Sequence, residues 1–328
     1  MTGKIASLQL ILDLKCDSNC MLCGASWPFR PNLNTAQAIE RLRYGIHMGL
    51  KEVVFSGGEV TLRRDLPKLI NYARDLGYSS IVLLTNGRRL ADLNLLRNLI
   101  RAGITSIGSS LHGHTAEIHE QITRAPRSFE QAIAGIKAVR VNFPELPLSV
   151  NCVLNRVNYR YMREIVHLLV KANVRLVQIT NVVPVGKAVG TYLHPETPRI
   201  SETLPYIHDS IDYFVQQYKP LSNSSITLAF FPFCILGDLM RFSGETSQSM
   251  SYFVSEIGEF VLIDDEISQQ NLKIKRPECA LCRFEKYCDG IWKEYIIAKG
   301  WNEFNPINEY DPEQIISTPR NQQSVQGF

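Results

Sequence analysis

Cysteines are the clearest chemistry-bearing residues of this 328-residue sequence, since six of its eight fall into two tight triplets. The first triplet, Cys16, Cys20 and Cys23, has the spacing Cys-x3-Cys-x2-Cys. Three thiolates this close together can surround one metal centre, either structural zinc or an iron–sulfur cluster. Structural zinc needs four protein ligands, and no fourth cysteine follows within the next hundred residues. The triplet therefore favours a [4Fe–4S] cluster with one iron open to an outside ligand.

Short polar motifs form a second group, each at or just after the end of a predicted strand. They are Ser56-Gly57-Gly58-Glu59, Thr85-Asn86-Gly87, and Ser110-Leu111-His112-Gly113 with Arg124 further on. The loops at the carboxyl ends of the strands build the active sites of α/β barrels. We therefore expect these motifs to surround the same site as the first triplet.

In this order, the triplet and the motifs resemble the radical S-adenosylmethionine (SAM) superfamily over about residues 7–182. The resemblance implies a [4Fe–4S] cluster with an open iron, held by Cys16, Cys20 and Cys23. It also implies SAM contacts from the strand-end motifs: Ser56, Gly57, Gly58, Glu59 and Asn86, with Ser110 on the ribose and Arg124 on the methionine carboxylate. The sequence departs from the family at Leu22, often an aromatic residue, and at Val60, often proline.

The resemblance implies a reaction as well as a cofactor. The open iron chelates the amino and carboxylate groups of SAM, and one electron cleaves the C5′–S bond. An electron donor such as flavodoxin or ferredoxin is the expected partner. The resulting 5′-deoxyadenosyl radical abstracts a hydrogen atom from the substrate, while the protein supplies orientation and a water-poor lumen.

The second triplet has the spacing Cys279-x2-Cys282-x5-Cys288. It resembles the C-terminal part of the SPASM and twitch domains, which hold auxiliary iron–sulfur clusters. Cys234 is the expected fourth ligand, so that four cysteines would saturate an auxiliary [4Fe–4S] cluster. The full SPASM pattern has a cysteine separated from a glycine by four residues; aligned on Gly258, that position is Ile263. We therefore predict one auxiliary cluster in a twitch-like domain, with a four-cysteine zinc knuckle as the alternative.

The elements that must position these residues alternate between strand and helix. Strands are predicted at Ser7–Leu14, Glu52–Ser56, Ser80–Thr85, Thr105–Leu111, Leu146–Asn155 and Arg175–Asn181. Amphipathic helices lie between them: one from the capping-box residues Asn34 and Gln37 to Gly49, then Asp65–Leu76, Leu90–Ala102, Ser128–Val141 and Asn158–Lys171. This alternation is typical of βαβ units. It predicts an α/β fold, a partial (β/α)6 TIM-type barrel with a small C-terminal twitch-like Fe–S domain.

Two of the predicted strands alternate between polar and apolar residues. We expect the leucines of the first strand to pack under helices and the polar positions of both strands to line a wet lumen. The candidates for substrate contact or proton transfer in this lumen are Gln9, Asp13, His112 and Asn151. Cys152 falls on the packing face and is expected to be a small buried residue.

The regular alternation of predicted strands and helices ends near residue 183, where prolines become frequent. We predict a radical SAM partial barrel over 1–200, a helix near Leu204–Tyr218, and an auxiliary-cluster domain over 201–300. That domain includes a hairpin of Phe253–Val254 and Phe260–Ile263 with its turn at Ile257-Gly258. A polar tail is expected over 301–328.

The net charge of +3 gives no argument for nucleic acid as the partner. No membrane or signal segment is predicted, so the protein is expected to be cytoplasmic.

The resemblance to SPASM and twitch enzymes, many of which modify ribosomally made peptides, implies oxidative modification of such a peptide, by a cross-link or a dehydrogenation. Only fifteen residues precede Cys16, which predicts that a separate protein presents the peptide. The alternatives are a small-molecule dehydrogenase or epimerase acting on a sugar or aminocyclitol, and a non-catalytic zinc-binding adaptor. The substrate, the bond changed, the hydrogen donor and the oligomeric state stay open from the sequence.

Overall fold

A computed structural model describes residues 7–24, 32–218, 223–244, 252–255, 260–263 and 272–309. Its centre is a sheet in which seven parallel strands follow one another in chain order. They are β1 (Ser7–Ile11), β2 (Glu52–Ser56), β3 (Ser80–Thr85), β4 (Ser106–Ser110), β5 (Leu148–Leu154), β6 (Leu176–Asn181) and β7 (Ser225–Ala229). Six βα units closed by a seventh strand form an α/β partial barrel, which confirms the predicted fold class.

Helices lie between these strands in the chain, and the described residues after β7 include two short α-helices. In the described part of the chain they are α1 (Thr35–His47), α2 (Leu66–Leu76), α3 (Leu93–Ala102), α4 (Ala116–Thr123), α5 (Ser128–Asn142), α6 (Met162–Lys171), α7 (Ala188–Tyr192), α8 (Ile200–Tyr218), α9 (Phe233–Leu236) and α10 (Lys293–Lys299). The predicted capping box is present, because Asn34 and Gln37 each accept a hydrogen bond from the other's backbone amide. Gly77, with φ of 94°, ends α2 in the left-handed conformation that favours glycine.

The polar and apolar residues that alternate along β1 and β5 point to opposite faces of the sheet, as predicted. Leu8, Leu10 and Leu12 are completely buried in the core, whereas Gln9 and Asp13 are only partly buried. Cys152 is also completely buried in the core. The packing face and the lumen face of these strands are therefore the ones that the polarity pattern predicts.

The parallel register extends the lumen face across the sheet. Residues paired in adjacent strands point to the same face, and Ser110 pairs with Asn151, which pairs with Gln178, which pairs with Thr227. The Thr180 hydroxyl donates to Asn151 Oδ1 at 2.6 Å. This row therefore presents hydroxyl and amide groups to the lumen.

Strand β7 is not among the predicted strands, because it lies beyond residue 183, where the regular alternation of strands and helices ends. Its residues do alternate between polar and apolar, and Pro220, Ser222 and Asn223 before them favour a turn. The strand pairs with β6 in a ladder that runs from Leu176–Ser225 to Thr180–Ala229. Long-range pairing therefore completes a strand that its short local pattern indicates only in part.

The predicted hairpin is present as β8 (Tyr252–Ser255) and β9 (Phe260–Ile263), which pair antiparallel. It lies beside the barrel strands, because β8 pairs parallel with β1. The predicted turn at 257–258 lies outside the described residues. A second small sheet consists of β10 (Lys273–Ile274) and β11 (Ile291–Trp292). No helix of the described residues is long and apolar enough to span a membrane.

The region predicted as a polar tail from residue 301 starts with packed residues. Phe304 is 3% exposed, and the ring centroid of Trp301 lies 6.3 Å from that of Phe304. Residues 310–328 lie outside the described part. The division of the chain at 200 and 300 stays a prediction.

Candidate functional site

The loop that carries Cys16, Cys20 and Cys23, here called the cysteine loop (residues 13–24), follows β1. Its first residues lie against the two glycines after β2. A Cβ atom on Gly57 would be 2.3 Å from the Asp13 carbonyl oxygen, and one on Gly58 would be 2.2 Å from that of Lys15. The amide of Gly58 donates to Asp13 O and that of Glu59 to Lys15 O, both at 2.7 Å. Only glycine permits this backbone approach, so the pair fixes the loop whatever else it binds.

Residues after β3 hold the middle of the cysteine loop. Asn86 Nδ2 donates to Asp17 Oδ1 at 2.7 Å. The Arg88 guanidinium lies 3.3 Å from Asp17 Oδ2, and it also donates to the Asp17 carbonyl and to Ser18 Oγ. Charge-assisted bonds of this kind are the stronger class of hydrogen bond. Neither Asp17 nor Arg88 was predicted as a site residue; their only signal is their position beside the cysteine and Asn-Gly motifs.

Helix α4 holds the next part of the loop through its backbone. The amides of Asn19 and Met21 donate to Thr123 O and Ile122 O, both at 2.9 Å. Arg124 follows directly, in the left-handed conformation with φ of 50°. These contacts place Arg124, the residue predicted to bind the SAM carboxylate, beside the cysteine loop and leave its side chain exposed.

The chain after β6 holds the end of the loop. The Lys187 amide donates to Cys23 O at 3.0 Å, and Lys187 Nζ donates to Asn19 Oδ1 at 2.5 Å. A Cβ on Gly24 would lie 3.0 Å from the Val185 side chain. The cysteine loop is thus fastened by residues that follow β2, β3, β4 and β6.

The three thiols of the loop differ in exposure. Cys16 is exposed, and Cys20 and Cys23 are partly buried. Burial, together with the neighbouring thiols, raises the pKa of Cys20 to about 11, and burial also raises the pKa of Cys16. A metal must therefore displace protons to bind these sulfurs, as a soft, thiophilic centre does. Within the described residues, no three His, Cys, Asp or Glu side chains are grouped so as to hold a single metal ion.

Glu59 is enclosed by the strand ends. Glu59 is only 1% exposed. Its Oε1 accepts hydrogen bonds from the Thr61 amide at 3.0 Å and from the Thr85 hydroxyl at 2.7 Å. Oε2 accepts from the Asn86 amide at 2.7 Å. The side chain therefore ties the end of β2 to the end of β3. A contact of Glu59 or Asn86 with SAM stays a prediction.

The predicted lumen residues have different surroundings. Gln9 Nε2 lies 3.4 Å from Ser56 Oγ, which brings a lumen candidate next to a predicted SAM contact. Asp13 forms an ion pair with Arg63 at 3.5 Å, and the same guanidinium binds Asp65 at 2.8 Å. Arg63 lowers the pKa of the Asp65 carboxyl. Asn151 and Ser110 stay on the lumen face described above.

The ring and the backbone amide of His112 both form hydrogen bonds within the protein. Its Nδ1 accepts from the Val153 amide at 3.3 Å, and its own amide donates to His119 Nδ1 at 3.1 Å. Burial lowers the pKa of His112 to about 4 and that of His119 to about 3. Both rings are therefore neutral at neutral pH and serve as hydrogen-bond acceptors.

These two histidines should make the free energy of unfolding depend on pH. Their folded-state pKa values lie below the unfolded value of about 6.5, so protons bind preferentially to the unfolded chain. Stability should be complete above pH 6.5 and fall as the pH drops towards 4, by about 3 kcal/mol for His112 alone. Urea unfolding at a series of pH values measures this. The double variant His112→Gln/His119→Gln should lose most of the slope, and a flat wild-type profile would contradict the assignment.

The second cysteine set lies around one cavity. Cys234, Cys279, Cys282 and Cys288 all line it, together with Phe233, Phe284, Trp301 and Phe304. Burial, followed by the other three thiols, raises the pKa of Cys234 to about 12. The predicted set is thus brought together in space, and four thiols around one cavity fit a fully ligated cluster.

Backbone amides point at two of these sulfurs. Gly290 N donates to Cys288 Sγ at 3.4 Å, and Ile307 N donates to Cys282 Sγ at 3.3 Å.

Cys234 follows the carboxyl end of β7, and Cys16 follows that of β1. Both cysteine sets therefore lie at the same edge of the sheet, beyond the first and the last of the seven parallel strands.

The cysteine loop and strands β2 to β5 lie within a region that matches a known protein family. Residues 12–169 match the sequence profile of the radical SAM superfamily, so the chain contains a radical SAM domain.

Among curated proteins, a probable GTP 3′,8-cyclase of Sulfurisphaera tokodaii is 27% identical over 222 residues, which are 66% of this chain and 69% of the relative. One from Metallosphaera sedula is 29% identical over 191 residues, 57% of this chain and 59% of the relative. The matched part thus falls short of two thirds of some relatives.

Solved structures of similar fold include peptide complexes. Streptococcus suis SuiB bound to its precursor peptide SuiA has a TM-score of 0.65 and 14% identity, covering 92% of this chain and 75% of SuiB. The protein anSMEcpe with bound AdoMet and the Kp18Cys peptide has a TM-score of 0.66 and 15% identity, covering 95% of each chain. At this identity the likeness establishes the fold.

Proposed function

We propose that this radical SAM enzyme oxidises a peptide, by cross-linking or dehydrogenation, at a lumen flanked by two iron–sulfur clusters. The observation that carries the proposal is the convergence of Cys234, Cys279, Cys282 and Cys288 on one cavity. That cavity lies at the same edge of the sheet as the cysteine loop. An oxidation needs an acceptor for the electron left on the substrate, and a second cluster at this edge supplies one.

Cys16, Cys20 and Cys23 would hold the first cluster, and Ser56, the Gly57-Gly58 pair, Ser110 and Arg124 would hold SAM. Together these groups supply, when bound, a radical that removes a hydrogen atom from a substrate C–H bond. The chain's own contribution is orientation. Asn86, Arg88 and Lys187 fix the cysteine loop, and the completely buried leucines of β1 keep water from the other face of the strand.

The lumen face supports a substrate rich in amide groups. Ser110, Asn151, Gln178 and Thr180 offer both donors and acceptors, which suit the N–H and C=O groups of a peptide. The nearby guanidinium of Arg63 is already in ion pairs with Asp13 and Asp65. A triphosphate would have to compete with these carboxylates for the Arg63 guanidinium.

GTP cyclisation is the second candidate, and it rests on the relatives named as probable GTP 3′,8-cyclases. A small-molecule dehydrogenase or epimerase is a further alternative within the same chemistry. Epimerisation is disfavoured because a lumen thiol is its typical hydrogen donor, whereas Cys152 is completely buried in the core. The proposal further includes a flavodoxin or ferredoxin as electron donor, a separate peptide-presenting protein and a cytoplasmic location.

The test is anaerobic purification followed by reaction with SAM, a reductant and either GTP or a short peptide encoded beside the gene. The protein should be brown with ~8 iron per chain, as two [4Fe–4S] clusters require. We expect 5′-deoxyadenosine and, by mass spectrometry, a peptide that has lost a pair of hydrogen atoms. Turnover of GTP alone would favour cyclisation. A colourless protein that binds zinc and forms no 5′-deoxyadenosine would overturn the proposal in favour of an adaptor.

A further inference from the structure

Residues 301–307, here called the C-terminal strap, lie against the four-cysteine cavity. Trp301, Phe304, Asn305 and Pro306 all line it. Phe304 is buried and packs edge-on against Tyr295, with ring centroids 5.5 Å apart. The strap thus replaces water with aromatic and apolar groups on one side of the cavity.

The strap is fastened to the cysteine region. The Arg276 guanidinium donates to the Phe304 carbonyl, and its carbon atom lies 5.7 Å from the centre of the Trp301 ring. The Arg283 amide donates to Ile307 O at 3.0 Å. Arg276 and Arg283 belong to the same stretch as Cys279 and Cys282, so the strap and these two cysteines form one hydrogen-bonded unit.

One bond of this unit reaches a sulfur directly, the bond from Ile307 N to Cys282 Sγ at 3.3 Å. Hydrogen bonds to the sulfur ligands and exclusion of solvent are two of the factors that set the reduction potential of an iron–sulfur cluster. An amide donor favours the reduced, more negative state and so raises the potential. The bond is made by the backbone, so the identity of the Ile307 side chain does not determine it.

We propose that the C-terminal strap is part of the auxiliary site and that the Ile307 amide raises the reduction potential of the cluster bound there. The inference rests on the proposed function, because it assumes that the four cysteines hold a cluster. The strap makes that cluster a better electron acceptor for the oxidation. Ile307 acts through Cys282 and is therefore a positioning residue.

The test compares Ile307→Pro, which removes the amide hydrogen, with the matched control Ile307→Ala, which keeps it. Both are made in the Cys16→Ala/Cys20→Ala/Cys23→Ala background, so that the signal of the auxiliary cluster stands alone. Redox titration followed by electron paramagnetic resonance gives the midpoint potential. We expect a shift to more negative potential in Ile307→Pro and the parental value in Ile307→Ala. One exchangeable proton that couples to the cluster should be lost in the proline variant alone, while the amide proton that Gly290 donates to Cys288 Sγ stays in both variants.

A second pair of variants avoids the introduced proline. A chain ending at Pro306 lacks the donor, whereas one ending at Glu309 keeps it, and only the former should show the negative shift. Equal potentials across both pairs would overturn the role of the strap while leaving the proposed function intact. A wild-type protein with ~4 iron and a single cluster would overturn the proposed function, and the inference with it.

Discussion

Replacing Cys16, Cys20 and Cys23 with alanine is expected to abolish SAM cleavage completely. The three thiols are the sulfur donors of one loop, and burial and mutual repulsion keep Cys20 protonated until a metal displaces the proton. Without them, no iron is left beside the predicted SAM contacts. The measurement is 5′-deoxyadenosine formed after anaerobic reduction in the presence of SAM. Iron content should fall from ~8 to ~4 per chain, since only the auxiliary site keeps its ligands.

Cys152→Ala is the matched control for this experiment. Cys152 is completely buried in the core, where its sulfur accepts only a long contact of 3.6 Å from Asn158. Its removal leaves a small cavity, which costs stability of the order of 1 kcal/mol and no iron. Formation of 5′-deoxyadenosine by the triple variant at the rate of this control would refute the assignment of the cysteine loop.

Cys234→Ala is expected to separate SAM cleavage from product formation. Cys234 lines the auxiliary cavity with the other three cysteines and is contributed by α9, far in sequence from the segment 279–288 that carries them. Loss of an outer-shell partner alone costs about 10–100-fold in metal affinity, so loss of a ligand should cost at least as much. The variant should therefore lose auxiliary iron and oxidised product while it continues to form 5′-deoxyadenosine.

Two measurements on one sample decide this prediction. Iron analysis reports the auxiliary cluster, and mass spectrometry reports the ratio of modified substrate to 5′-deoxyadenosine. Cys152→Ala is again the control, because it removes a thiol without touching either cysteine set. A Cys234→Ala protein that has lost iron but still yields full amounts of oxidised product would contradict the electron-acceptor role.

The sequence predicts the fold where local pattern and tertiary structure agree. The leucine alternation of β1 and the capping box at Asn34 each have a direct physical cause in the chain, and both are present in the structure. Strand β7 has the same alternation, with Ser225 and Thr227 on the lumen face, but its five residues lie beyond the region where strands and helices alternate regularly. Its partner β6 is far away in sequence, and single-sequence patterns do not contain that information.

The same distinction applies to the site. Cysteine spacing carries enough information to predict both sulfur sets, because ligands close in sequence must be close in space. The contacts of Arg88 with Asp17 and of Ile307 with Cys282 join distant residues that belong to no compact motif. His112 has a contact that its motif does not indicate, because its buried ring accepts a hydrogen bond from the Val153 amide, and its role in the lumen stays a prediction.

The long reach of the cysteine-loop contacts has a consequence for biosynthesis. The loop precedes its partners in the chain, because the amide that holds Cys23 belongs to Lys187 and the carbonyls that hold Asn19 and Met21 belong to α4. Domains fold as units once their chain has emerged. A nascent chain that stops before residue 187 therefore has all three thiols but lacks a contact that fixes the loop. We expect the loop to reach its final geometry only after the barrel strands through β6 have been translated.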